Sequence, residues 1–328
     1  MISIVFPVYN EQDNIQALYA RLVSTIEKIE GEDFEIVFVD DCSTDKTQEI
    51  ILQLTKTDKR VQTIRFSRNF GSHSAVAAGV TLCRGDAAIL LAADLQDPPE
   101  IIPHLMDHWR KGLKVVWGVR EKRIGESLFS RALSRTFFFL MNRLTDLQLP
   151  PTGADVFLID RTVIEALKNS PEKNVSIFML IAWLGFPQIR IMYAKEERHA
   201  GSSKWSFSQR LKIFFDSLIS FSYVPLRVMS LMGGFFALIG LLYGTVIFIR
   251  ALKGIPILGW SSMMVVILLF SGFQMSMMGM LGEYLWRTYD ESRSRPRYVI
   301  EKNTLLENTS RRNLKMTVAD TDAGGSSE

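Results

Sequence analysis

Cysteine is nearly absent from this 328-residue chain: only Cys42 and Cys83 occur. Neither sits in a CxxC pair or at a zinc-binding distance from a histidine, so no disulfide framework or zinc site is suggested and a reducing compartment, the cytosol, is favoured. Charge of one sign is also lacking, since 38 Lys and Arg meet 35 Asp and Glu for a net +3, and 47% of residues are hydrophobic. That balance excludes a disordered chain and a protein that coats nucleic acid, so no nucleic acid is expected as a partner. No GxGxxG follows the first apolar run and no GxxxxGK[ST] occurs anywhere. The usual dinucleotide and P-loop fingerprints are therefore missing, and a bound nucleotide must be held in another way. The opening "MISIVFPVYNEQDN" has no basic n-region and does not read as a signal peptide. No internal repeat is evident.

Charge disappears altogether in two stretches. No charged residue stands between Val228 and Ile249, "VMSLMGGFFALIGLLYGTVIFI", or between Gly254 and Gly282. Each is long enough to cross a bilayer as a helix, and uninterrupted runs of this length are rare in buried hairpins of soluble domains. The short connector "RALKGIPILGW" holds only Arg250 and Lys253, whereas Lys204, Arg210, Lys212 and Arg227 precede the pair and Arg287, Arg293, Arg295 and Arg297 follow it. Both flanking segments are accordingly expected to be cytoplasmic. Phe207, Leu211, Phe214, Phe215, Leu218 and Phe221 recur at spacings of three and four, which predicts an amphipathic helix leading into the first span. The expected organisation is a catalytic domain over 1–204, amphipathic juxtamembrane helices over 205–227, a transmembrane helix over 228–250, a short loop over 251–259, a second transmembrane helix over 260–282, and a cytoplasmic tail over 283–328. From about Lys302 that tail is polar and is expected to lack a fixed structure.

Residues 1 to about 120 alternate short β-type runs with helical patterns: "ISIVFPVY", "FEIVFVDD", "VQTIRFS" and "DAAILLAAD", each followed by a helix candidate. Repeated βα units predict a mostly parallel sheet, in which ligands bind beyond the carboxyl ends of the strands. The residues at those ends are Asn10 and Glu11, Asp40 and Asp41, Arg68 and Asn69, and Asp94, Gln96 and Asp97. Asp94 ends a strongly apolar run, where a carboxylate needs a cation or a donor. A divalent ion bridging two phosphates of a nucleotide would supply that partner. Asp97, followed by Pro98 and Pro99, reads equally well as the cap of a helix start. Asp40 and Asp41 suit hydrogen bonds to ribose hydroxyls or a base edge, although capping by Ser43 and Asp45 accounts for part of that acidity. Beyond residue 120 lie a basic and then aromatic stretch, a strand candidate "ADVFLID", and a helix-plus-strand pattern through "IMYAKEERHAG".

In this order, "IVFPVYNEQDNI", "FVDDCSTDKT", "RFSRNFGSHSAVAAG", "AADLQDPPE" and "ERHAGSSKW", followed by two apolar spans, resemble the glycosyltransferase family 2 enzymes that load a sugar onto a polyprenyl phosphate. Within that group the chain is most similar to bacterial enzymes that make undecaprenyl phosphate glucose for lipopolysaccharide O-antigen modification, and dolichol phosphate mannose synthase shares the catalytic domain. The resemblance implies an α/β GT-A fold, Rossmann-like with a mostly parallel sheet, carrying amphipathic juxtamembrane helices and a two-helix transmembrane hairpin. It further implies a nucleotide-sugar donor, UDP-glucose, a divalent metal, Mg2+ or Mn2+, inversion at the anomeric carbon, and a polyprenyl phosphate acceptor at the bacterial inner membrane, with the catalytic domain and both termini cytoplasmic. Carried over residue by residue, Pro7, Tyr9, Glu11, Asp40, Asp41 and Asn69 line the donor site, and Asp94 with Gln96 meets the metal and diphosphate. The family usually writes an aspartate where this chain has Ala92, so metal binding leans on Asp94, Gln96 and the phosphates themselves.

Asp155 falls where relatives place an acid on the acceptor side, and it orients the acceptor or the sugar hydroxyls more plausibly than it acts as a base, because a phosphate nucleophile is already anionic. Phe157 stands where the family often has arginine. Arg198, Ser203 and Lys204 match a loop that closes over the phosphates, with Gly201 allowing it to bend, while Arg120 and Arg131 match acceptor-side arginines. The catalytic set implied is Asp94, Asp155, Arg198 and Lys204. The sugar rests on resemblance alone, with GDP-mannose or another UDP-sugar as alternative donors. A processive polysaccharide synthase is disfavoured by two spans and the lack of a QxxRW motif; a catalytically degenerate nucleotide-sugar-binding protein has Ala92 as its best argument. A homo-oligomer, a tetramer being suspected, is among the expected partners.

Overall fold

The computed structural model describes residues 1–121, 154–170, 175–196, 224–253 and 259–305, together with the single positions Phe139, Arg143, Glu172 and Ser222. Its centre is built from the βα repeat. Strand β1 (Ile2–Val8) pairs in parallel with β2 (Phe34–Asp40) on one side and β4 (Ala87–Leu90) on the other, and β2 pairs in parallel with β3 (Val61–Phe66). These strands are buried on both faces, which is why they read as unbroken apolar runs rather than alternating ones. Phe6 lies opposite Phe38 in the ladder and the two rings stack at 5.3 Å.

The connecting helices α1 (Ile15–Ile26), α2 (Thr47–Thr57) and α3 (Ser72–Leu82) cover the sheet, and α4 (Ile102–Arg110) follows β4 after a single 3-10 turn at Pro99–Ile101. Helix α3 sits so close to the sheet that a Cβ on Gly79 would lie 2.2 Å from Val5 Cγ1 and 2.9 Å from Val39 Cγ2. Three further strands extend the β4 side: β5 (Val115–Arg120), β6 (Val156–Asp160) and β7 (Gln188–Tyr193), with helices α5 (Arg161–Lys168) and α6 (Ile177–Trp183) between the last two. β6 runs antiparallel between β4 and β5, and β7 runs parallel to β5. A last strand, β8 (Ile300–Asn303), is antiparallel to β3, so the eight strands lie in the order β7-β5-β6-β4-β1-β2-β3-β8. The GT-A-type α/β sheet is thus present, parallel through β3-β2-β1-β4 and mixed toward both edges.

β8 falls within the segment expected to be a tail, and it is well held. Tyr298 stacks on Phe66 at 5.0 Å, Ser67 N donates to Val299 O, Arg65 pairs with Glu301 at 3.0 Å, and Thr63 N donates to Thr304 Oγ1. Leu305 is buried behind it.

The second unit consists of α7 (Val224–Leu252) and α8 (Trp260–Ser292). Both are long and apolar enough to cross a membrane. Both outrun the apolar stretches: α7 begins before 228, and α8 continues from 282 to Ser292 through charged residues. Phe236 packs against Phe270 and Phe273 at 5.4 and 5.2 Å, and the Tyr284 hydroxyl donates to Ser222 O. Leu231, Leu241, Leu268 and Leu269 face outward, an apolar surface suited to hydrocarbon rather than water. The amphipathic helix expected over 205–227 lies mostly outside the described residues, as do the end of the tail and most of the loop between the spans.

Candidate active site

The strand order explains why so many polar residues meet. β1, β2, β3, β4, β5 and β7 all end at one edge of the sheet, and β6, running the other way, begins there. Residues after the first group and the residue before β6 therefore share a rim.

Its β1–β3 half is a braced pair of loops. Asn10 takes a positive φ of 52°, a conformation asparagine tolerates, and its side chain accepts from Thr44 N at 2.8 Å while its own amide donates to Ser43 Oγ at 3.0 Å. Glu11 N donates to Thr47 Oγ1, and the Glu11 carboxylate accepts from Asn14 Nδ2. Asp40 is fully buried; it accepts from Ser43 N at 2.8 Å and pairs with Arg65, which also reaches Glu301. Asp41 accepts from Phe70 N and Gly71 N at 2.7 and 2.9 Å, holding the loop that enters α3. Burial raises the pKa of Asp41, and those two amides oppose the rise. Both acids thus brace loops, while Pro7, Tyr9, Asn10 and Glu11 remain partly exposed and Thr44 and Asn69 exposed beside them.

The other half is a network of acids and bases. Asp94 is 9% exposed and accepts from Gln96 N at 3.2 Å across Leu95, itself at φ 61°. Asp97 does not cap the following turn, which has no side-chain cap; it points inward, 1% exposed, to the Tyr193 hydroxyl at 2.5 Å and Lys195 Nζ at 3.4 Å. Burial raises its pKa, Lys195 opposing, and Oδ2 has no hydrogen-bond partner. The same burial and the Asp97 charge raise the Tyr193 pKa, so that hydroxyl stays a donor. Asp155 meets Arg120 Nε at 3.1 Å and Lys195 Nζ at 3.2 Å. Three carboxylates, Asp94, Asp97 and Asp155, and two cations, Arg120 and Lys195, therefore sit between the ends of β4, β5 and β7 and the start of β6. Tyr193 and Lys195 were not singled out by sequence; their only signal is their place at and just beyond a strand end, inside a run of charges.

Arg131, Arg198, Ser203 and Lys204 lie outside the described residues. Among the described residues no three His, Cys, Asp or Glu group to hold a metal unaided. Asp94 and the Gln96 amide offer two hard oxygens and Ala92 none, a set that fits an ion completed by substrate phosphates and water. A cleft of about 770 Å³ opens among Arg21, Glu100, His104, His108, Tyr193 and Glu196, and its walls include none of Asp94, Gln96 or Asp155.

The glycosyl transferase family 2 model matches residues 3–168. An uncharacterized glycosyltransferase, YkcC, of Bacillus subtilis is 39% identical over 307 residues, covering 93% of this chain and 95% of its own. The bactoprenol glucosyl transferase derived from prophage SfII in Shigella flexneri is 36% identical over 303 residues, covering 92% of this chain and 98% of its own. The bactoprenol glucosyl transferase of Shigella phage SfX is 37% identical over 301 residues, with 92% and 98% covered.

Proposed function

Because the chain belongs to glycosyl transferase family 2 and is a glycosyltransferase, we propose that it is a membrane-bound inverting enzyme moving glucose from UDP-glucose onto undecaprenyl or a related polyprenyl phosphate at the cytoplasmic leaflet. The observation that carries this reading is the near end-to-end match to proteins named bactoprenol glucosyl transferases. An alignment of 303 of 328 residues must take in most of the apolar helix pair as well as the sheet.

The difficulty in this reaction is electrostatic. A lipid phosphate oxygen is anionic near neutral pH and needs no base, but it must approach a donor that carries a diphosphate, so cations have to stand at both. Its oxygen forms a bond to the anomeric carbon from the face opposite the diphosphate, whose bond to that carbon breaks as the nucleotide leaves. In this reading Pro7, Tyr9, Glu11 and Asn69 line the nucleotide, and Asp40 and Asp41 fix the loops on which it lies. Asp155, held by Arg120, orients the acceptor or the sugar hydroxyls. Arg131, Arg198, Ser203 and Lys204 are the proposed phosphate ligands. Asp94 and Gln96 would hold a Mg2+ or Mn2+ ion, which supplies positive charge to the leaving diphosphate.

One observation favours a second reading, a nucleotide-sugar-binding protein without transfer: Ala92 removes a carboxylate from the metal side. Full-length protein in vesicles containing undecaprenyl phosphate, given radiolabelled UDP-glucose, UDP-galactose or GDP-mannose with and without divalent metal, separates the two. Label entering the lipid from UDP-glucose, only with metal, is the expected result. Entry from GDP-mannose alone would replace the sugar, and nucleotide binding without any transfer would favour the second reading.

A further inference from the structure

Lys195 stands just beyond β7 and touches carboxylates that come from two distant parts of the chain: Asp97 Oδ1 at 3.4 Å and Asp155 Oδ2 at 3.2 Å. Its side chain is 17% exposed, so the ammonium has given up much of its hydration for these contacts. The short segment around it is held firmly. Tyr193 donates to Asp97, Glu196 N donates to Gln96 O at 2.9 Å, and Arg21 reaches Glu196 and Glu100 together. The end of β7 is thereby fastened to the loop that carries Asp94 and Gln96, and among the described residues Lys195 is the side chain that joins Asp97 directly to Asp155.

We propose that Lys195 is a positioning residue for sugar transfer, fixing Asp155 at a set distance from the Asp94–Gln96 loop so that donor-side and acceptor-side groups keep one spacing. The inference rests on the glycosyl-transfer reading above. Without Lys195, Asp155 keeps its pair with Arg120, whose strand is laddered to β7 opposite Tyr193, but loses its direct side-chain link to Asp97, which among the described residues keeps the Tyr193 hydroxyl. A small displacement of an orienting carboxylate lowers the rate of a step that depends on alignment while leaving nucleotide binding, made on the β1–β3 half of the rim, largely intact.

The test uses the full chain in undecaprenyl phosphate vesicles and compares Lys195→Met, Lys195→Gln and Lys195→Arg by kcat, KM for each substrate, UDP affinity and melting temperature. K195M and K195Q are expected to lose about tenfold or more in kcat with UDP affinity changed by less than about twofold. K195R is expected within about threefold of the parent, because a guanidinium can span the same two carboxylates. K195Q decides if K195M fails to accumulate in the membrane. Parental kcat in K195M or K195Q overturns the inference, as does a joint fall of kcat, UDP affinity and melting temperature, which would make Lys195 a brace of the fold. A parent protein that transfers no label from any donor overturns the glycosyl-transfer reading, and the inference with it; an active parent beside unaffected variants overturns the inference alone.

Discussion

Two titratable residues away from the rim contribute to how the sheet unit responds to acid. Asp160 ends β6 and caps α5, accepting from Thr162 N at 2.9 Å and Trp109 Nε1 at 2.8 Å and pairing with Lys114 at 3.0 Å. Burial alone would raise its pKa, but those donors outweigh burial and bring it to about 2. A folded pKa below the unfolded one contributes stability above about pH 4 that is lost as pH falls toward 2. His73 acts in a higher window. Burial, then the nearby Arg297 charge, lowers it to about 4, so the unfolded chain takes up a proton near pH 6.5 that the folded chain refuses. Stability should fall by on the order of 2–3 kcal/mol between pH 6.5 and 4 and level off below. Melting temperature against pH is expected to show both losses; His73→Phe, which keeps an aromatic ring against Phe178, removes the first. Asp160→Ala should cost about 2 kcal/mol with KM for the donor unchanged. At the rim, Asp94→Asn is expected to cut lipid-linked label about a hundredfold or more with UDP binding retained, and full transfer by that variant would remove Asp94 from the metal side.

Packing between elements makes its own prediction. Gly79 lets α3 approach β1 and β2, and the clashing atoms are methyls of Val5 and Val39 in the middle of buried strands. Gly79→Ala should cost about 1–3 kcal/mol in thermal unfolding because neither valine can turn away without meeting the core. The same burial made these elements legible in the sequence: strands covered on both faces appear as apolar runs, and the polar residue after each run was correctly placed at the sheet edge. Direction was less legible, since "VFLID" is apolar whichever way it runs and its antiparallel sense comes from its pairing with β4 and β5. β8 was not legible at all, because Ile300–Asn303 includes Glu301 and Lys302, charges an edge strand can direct to water. Asp97 looked like a cap because of the prolines after it, whereas its partners, Tyr193 and Lys195, lie nearly a hundred positions further on, beyond the reach of local pattern.

At the scale of the molecule, the chain leaves the sheet unit before α7 and rejoins it after α8 to add β8. If the intervening helices cross a membrane, they must cross an even number of times. Single cysteines placed at Ser294 and at Pro256, in a chain with Cys42 and Cys83 replaced, are expected to react from opposite sides with a membrane-impermeant maleimide, Pro256→Cys from outside intact cells and Ser294→Cys only after lysis. Labelling of Ser294→Cys from outside and of Pro256→Cys only after lysis would reverse the orientation expected from the basic flanks, and labelling of both from outside would mean that α8 does not cross.

The position of β8 also has a meaning in time. A ribosome completes β1 to β7 and both apolar helices before it makes the strand that covers β3, so during synthesis the outer edge of β3 is open, with its backbone amides and carbonyls unpaired. The covering strand becomes available only after the helices have emerged. A chain that stops short of residue 300 would keep that edge of β3 uncovered by β8, a template for pairing with another chain.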